Sequence, residues 1–195
     1  MKPDAQAWLA QKAAGFLRRI GVSPAQTVLD FGCNTGNYTR AAAGIVGRAG
    51  RVVALDKDKE SLEGLNKEAK KKGWKNVECL SVSADGAIPL APGSVDVVLL
   101  YDVLHRGYFP EQPQRERALA RIHRVLKPGG MLSFYPTHLR KYAMTFRRQL
   151  GEVARAGFVL DDESRRTLVH DGRLVRGRVF GFRKRARARQ QAATE

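Results

Sequence analysis

The chain has 195 residues, 43% of them hydrophobic and 28% charged, with a net charge of +16 from 35 Lys+Arg against 19 Asp+Glu. That is one domain's worth of polypeptide with apolar residues enough for a full core, which excludes a disordered chain and two ordinary domains. Apolar runs such as Val95–Leu100, with Asp96 inside, are far shorter than a bilayer span, and residues 1–20 lack the continuous apolar core of a signal peptide. A cytoplasmic protein with no membrane segment is therefore expected. The two cysteines, Cys33 and Cys79, form no C-x-x-C pair and no ligand cluster, so neither a disulfide nor a metal is expected. The positive charge favours polyanionic partners, RNA among them, or acidic substrates.

Along the chain, Trp8, Leu9, Ala13, Phe16, Leu17 and Ile20 share one helical face, which predicts a leading helix over 4–20 stopped by Gly21. Thr27–Phe31 reads as a short apolar strand, followed by a glycine-rich turn and a helix over Tyr38–Val46. Arg51–Leu55 is a second strand ending at Asp56, and Lys59–Lys72 a charged helix closed by Gly73. Val77–Val82 is a third strand, with Asp85-Gly86 after it. Val95–Tyr101, almost wholly apolar, fits a fourth strand covered on both faces. Glu111–Leu126 is a helix ended by Pro128-Gly129-Gly130, and Met131–Tyr135 a fifth strand. After a helix over Ala143–Ala156, strands over Phe158–Val169 and Arg173–Phe182 flank Asp171-Gly172, a two-residue hairpin signal. The alternation predicts an α/β fold: a doubly wound, mostly parallel seven-stranded sheet with a C-terminal antiparallel hairpin and an N-terminal helix. It fills residues 1–183. Residues 184–195, which carry Lys184, Arg185, Arg187 and Arg189, are expected to form a basic, mobile tail.

The stretch Val28-Leu29-Asp30-Phe31-Gly32-Cys33-Asn34-Thr35-Gly36-Asn37-Tyr38 carries the functional signal. A strand runs into a glycine turn that opens a helix, and glycines there let the backbone approach a ligand. The G-x-G-x-x-G fingerprint of dinucleotide sites and the G-x-x-x-x-G-K-[ST] phosphate loop are both absent. Asp30 at the turn would repel phosphates but suits a ligand with a sulfonium and an ammonium. Asp56 ends the second strand, where a carboxylate can accept both ribose hydroxyls, or simply cap the next helix. Asp85 follows the third strand, within reach of an adenine amino group or as a plain turn residue.

These residues resemble those of the class I S-adenosylmethionine-dependent methyltransferases over roughly residues 25–183. Asp30, Gly32 and Gly36 match the family's D-x-G-x-G-x-G pattern, with Asn34 where the family usually has glycine. The resemblance implies that Asp30, Gly32, Cys33, Asn34, Gly36 and Tyr38 surround the amino-acid end of S-adenosyl-L-methionine. It places Asp56 and Lys57 at the ribose, Asp85 and Gly86 at the adenine and Tyr101 beside the bound molecule. Ser94–Val98, Tyr101–His105 and Leu126-Lys127-Pro128-Gly129-Gly130 resemble further motifs of the family, the second lining the methyl-transfer end. His105 is the candidate catalytic base, and a hydrogen-bonded structural histidine is its alternative. Asp102, Tyr135 and His138 are candidates for the acceptor side. Trp8 and Phe16 are expected either as a lid over the site or as simple helix packing. A small-molecule acceptor is the leading expectation. An RNA methyltransferase using the basic surface and tail, and a cofactor-binding protein without turnover, are the alternatives, with a nicotinamide-dependent dehydrogenase behind them.

Overall fold

The computed structural model describes residues 1–82 and 87–185. Five strands run parallel: β1 (Thr27–Phe31), β2 (Arg51–Asp56), β3 (Val77–Ser81), β4 (Val95–Tyr101) and β5 (Leu126–Tyr135). The last two, β6 (Phe158–His170) and β7 (Arg173–Lys184), form a hairpin, and β7 pairs antiparallel with both β5 and β6. The order across the sheet is β3-β2-β1-β4-β5-β7-β6. From β1 the chain winds outward to β3, then crosses back to β4 on β1's other side. Open α/β sheets hold their ligands at such a reversal, outside the carboxyl ends of the strands. Because β7 is antiparallel to both neighbours, β6 runs parallel to β5. Its last residue, His170, therefore arrives at the same edge as Asp30, Asp56, Tyr101 and Tyr135.

Helices cover both faces. α1 (Pro3–Gln11), α2 (Ala13–Arg19) and α3 (Asn37–Val46) pack with Val28, Val52, Val97 and Leu99 on one face. α5 (Gln112–Val125) and α6 (Phe146–Arg155) pack with Leu29, Val53, Val98 and Leu100 on the other. Alternate residues of β1, β2 and β4 thus enter opposite cores, as the two-residue period of a strand requires. α4 (Lys59–Lys71) seats Leu62 and Leu65 against Cys33 and Ala54. Between α5 and α6, Arg115 and Glu152 are both fully buried and joined twice, at 2.9 and 3.0 Å. Arg115 also donates to the Phe109 carbonyl at 2.9 Å, which anchors the loop after β4.

Several boundaries differ from those read off the sequence. The leading segment is two helices that meet at Lys12, and the bend lets Trp8 and Phe16 face each other at 6.0 Å. The Pro128-Gly129-Gly130 segment lies inside β5. Leu126 already pairs with Val95, and Lys127 donates to Asp96 at 2.6 Å, which draws the turn into the sheet as an irregularity in register. Helix α6 starts at Phe146 because Thr145 caps it, accepting the Arg148 N–H. Lys184, expected as the first residue of a tail, is the last residue of β7. Asp85, Gly86 and residues 186–195 lie outside the described residues. Among the described residues no helix is long and apolar enough to cross a membrane.

Candidate functional site

The turn after β1 needs its glycines. Gly32 sits at φ +79°, and a Cβ there would run into the Val103 side chain. Gly36 sits at φ +80°, where a Cβ would lie 2.6 Å from a Leu65 methyl. Asn34 is left-handed too, at φ +47°, a conformation that asparagine tolerates better than most residues. Its side chain accepts the Thr35 N–H at 2.6 Å, so the departure from the family's glycine leaves the turn intact. The turn is tied to the end of β2. Gly32 and Cys33 donate to the Leu55 carbonyl, and the Asn34 N–H donates to Asp56 Oδ2 at 2.6 Å. The cap of α4 is Asp58, not Asp56, so the helix-capping alternative for Asp56 falls away.

Asp30 and Asp56 are buried. Thr39 donates its hydroxyl to Asp30 at 2.6 Å. Burial nevertheless pushes the Asp30 carboxyl up to about 6, with the charge of Asp56 acting in the same direction. Among the described residues no cationic side chain lies within ion-pair distance of either acid.

Asp30 and the glycine turn open onto a cavity of about 310 Å³ at the carboxyl edge of the sheet, and Asp56 stands behind its wall, bonded to the Asn34 N–H. One wall is Asp30, Gly32, Cys33, Asn34 and Thr35; the facing wall is Tyr101, Asp102, Tyr135 and the hairpin tip from His170 to Gly172. Tyr38 spans the two, its hydroxyl donating to the Val169 carbonyl at 3.3 Å and accepting the Val169 N–H at 3.1 Å. Tyr101 meets Ser133 at 2.7 Å. Burial raises the phenols of Tyr38 and Tyr101 and pushes Tyr135 up to about 12, so all three remain protonated at neutral pH. The Cys33 thiol is also raised by burial, with Asp30 and Asp56 adding to it. Lys57 does not itself line the cavity, but its ammonium lies 4.5 Å above the ring of Tyr108, which does. Trp8 and Phe16 do not line this cavity. Phe16 supports Tyr38 and Tyr101 from below, at 6.2 and 6.1 Å. The cover comes instead from Met1 and the hairpin, where the Lys2 N–H donates to the Gly172 carbonyl at 2.8 Å.

At the wall facing the glycine turn, one carboxylate gathers three histidines. Asp102 Oδ1 lies 3.6 Å from His105 Nε2 and 3.4 Å from His138 Nε2, and its Oδ2 lies 3.0 Å from His170 Nδ1. The Thr137 hydroxyl also donates to Asp102. His105 is buried behind Asp102, stacked on Tyr142 at 4.7 Å. Its Nδ1 accepts the Gly107 N–H at 3.0 Å, leaving only Nε2 free, and that atom faces Asp102 rather than the cavity. Burial pulls the His105 imidazole below its ordinary value, whereas the hydrogen bond that His170 donates to Asp102 raises His170. Sequence reasoning singled out Asp102, His105, Tyr135 and His138 but missed His170 and Asp171. Their only signal was the Asp171-Gly172 turn, read as hairpin chemistry alone.

A model of the methyltransferase domain family matches residues 28–130, more than half of the chain. The chain belongs to the class I S-adenosylmethionine-dependent methyltransferases. Demethylmenaquinone methyltransferase of Lactococcus lactis is 36% identical over 115 residues, covering 58% of this chain and 43% of that protein. Arsenite methyltransferase of Halobacterium salinarum is 31% identical over 112 residues, covering 57% of this chain and 27% of that protein. The chain thus spans less than half the length of the curated relatives it matches. Two solved S-adenosylmethionine-dependent methyltransferases share the fold. The one from Aquifex aeolicus has a TM-score of 0.70 at 23% identity, covering 93% of this chain and 92% of that one. The one from Methanosarcina mazei has a TM-score of 0.71 at 17% identity, covering 88% and 97%. The family's cofactor fits the residues present in this chain. Two buried carboxylates without a cationic partner suit a ligand that carries a sulfonium and an ammonium, and the glycine turn leaves its backbone open to close approach.

Proposed function

We propose that the chain transfers the methyl group of S-adenosylmethionine to a small-molecule acceptor held between Asp102, Tyr135 and the hairpin tip. Two buried acids with no cationic partner among the described residues carry this reading: Asp30, which lines the cavity at the glycine turn, and Asp56, bonded to that turn from behind. When bound, S-adenosylmethionine supplies a methyl carbon whose leaving group is already activated by positive charge. The protein's share is therefore to align the acceptor and exclude water. Asp30 attracts the cationic end and orders the turn through Thr39. Asp56 accepts the ribose hydroxyls while keeping the Asn34 N–H. Tyr38 and Tyr101 wall the cavity, and Asp85 and Gly86, outside the described residues, take the adenine. Asp102, Tyr135 and His138 form the acceptor side. We assign His105 a positioning role rather than that of catalytic base, because its free nitrogen points at Asp102 and its ring is buried.

The names of the curated relatives, a demethylmenaquinone and an arsenite methyltransferase, support a small acceptor. A thiol relay for a metalloid finds little support here. The chain has two cysteines, and the thiol of Cys33, the one at the cavity, is held protonated by burial. Calorimetry with S-adenosylhomocysteine tests the reading. Binding is expected for the full chain, and Asp56→Ala should weaken it roughly 10- to 150-fold by removing charge-assisted hydrogen bonds worth about 1.5–3 kcal/mol. Unchanged affinity in that variant, or equal binding of a nicotinamide dinucleotide, would refute it. Acceptors are then screened by mass spectrometry for a product one methylene heavier.

A further inference from the structure

The chain has four histidines, and three of them stand around Asp102. They reach it from three separate places in the sheet. Asp102 follows β4, His138 follows β5, and His170 with Asp171 closes β6. Only the strand order brings them to one edge. Asp102, His138, His170 and Asp171 each offer one oxygen or ring nitrogen, and these four atoms lie within 4.8 Å of one another. His138 Nε2 is 3.4 Å from Asp102 Oδ1 and 3.9 Å from Asp171 Oδ2, and His170 Nε2 is 3.5 Å from Asp171 Oδ2.

We infer that Asp102, His138, His170 and Asp171 form a binding site for one divalent first-row transition-metal ion at the acceptor side of the cavity. Bonds of about 2.0–2.2 Å place neighbouring ligand atoms about 2.9–3.6 Å apart in tetrahedral or octahedral geometry. The contacts of 3.4 and 3.5 Å already match that spacing, and the remaining pairs, within 4.8 Å, close by about an ångström at most when the side chains turn onto an ion. Two carboxylates balance the ion's charge in a chain that is otherwise strongly basic. Two imidazoles and no thiolate select zinc, cobalt, iron(II) or manganese over calcium, magnesium and copper(I). The supporting contacts are in place as well. His170 has a carboxylate against each ring nitrogen, so its ring is already oriented toward the two acids of the set. Thr137 holds Asp102, and His105 backs it from the buried side. Asp102, His170 and Asp171 all line the cavity, so the ion's remaining position would face the bound acceptor. Asp171 is exposed, so its side chain has room to turn onto the ion.

Ion binding is read directly and does not depend on turnover. The full chain, stripped with chelator, is titrated with Co²⁺ and its d–d absorption followed, with Zn²⁺ competition and elemental analysis giving stoichiometry. One ion per chain is expected. His138→Ala and His170→Ala should each weaken it at least tenfold, whereas His123→Ala, whose ring packs on Phe158 away from the site, should bind as the parent does. Affinity for S-adenosylhomocysteine, measured on the same variants, reports an intact fold and tests the methyltransferase reading separately. Absence of binding by the parent chain, or equal ion affinity in the His138 and His170 variants, would overturn the site even where the cofactor binds normally.

Discussion

Asp30→Asn should make the protein more stable and its cofactor site worse. A carboxyl held at about 6 instead of its ordinary 3.8 reflects a folded state that resists the charged form. At about 1.4 kcal/mol per pH unit this amounts to about 3 kcal/mol against the folded state at neutral pH. The sign follows from proton binding. Below the unfolded value both states are protonated and no penalty exists. As pH rises from 3.8 to about 6 the unfolded chain loses its proton first, so stability falls through that window and the deficit is complete above it. Asparagine keeps the shape and can still accept the Thr39 hydroxyl, but carries no charge. Urea unfolding of parent and variant across the pH range is the assay. The variant's advantage should grow from near zero at about pH 3.5 to as much as about 3 kcal/mol at about pH 7. The same substitution should weaken S-adenosylmethionine binding, because the penalty sits where a cationic ligand would relieve it. An advantage that does not vary with pH, or a variant less stable than the parent at neutral pH, would refute the argument.

Two further outcomes follow from the turn and the hairpin. Gly32→Ala combines left-handed strain with a clash on Val103 and should cost roughly 2–5 kcal/mol in urea unfolding, part of it recovered in the double variant with Val103→Ala. Tyr38→Phe removes both bonds to Val169 and should cost about 1–3 kcal/mol, with faster hydrogen exchange at the Val169 amide as its local signature.

The parallel strands were legible because each is a short apolar run closed by an acid or a turn, and the covered faces of β4 leave Asp96 as its one polar interior residue. The glycine turn was legible because Gly32 and Gly36 occupy backbone conformations that other residues resist. Boundaries failed where a distant partner decided them. Lys127 is drawn to Asp96 and Leu126 to Val95, so a segment that reads as a turn becomes strand. The wall facing the glycine turn was only partly legible, for the same reason on a larger scale. His105 looked catalytic because it follows β4 directly, yet Gly107 and Tyr142 hold its ring behind Asp102. His170 looked like a strand end, yet the placement of β7 between β5 and β6 delivers it to the cavity. Nothing local to residue 170 encodes that. It depends on which edge the hairpin joins.

That strand order also sets a schedule for synthesis. β6 has no neighbour in the sheet except β7. As the chain leaves the ribosome, the glycine turn, Asp56 and β4 are available long before β6 has anything to pair with. Only when β7 emerges and docks on β5 can the hairpin tip reach the cavity and its Gly172 carbonyl accept the Lys2 N–H. An interrupted chain that stops short of β7 keeps the turn but lacks the wall opposite it. The cavity's far wall is thus complete only once β7 is in place.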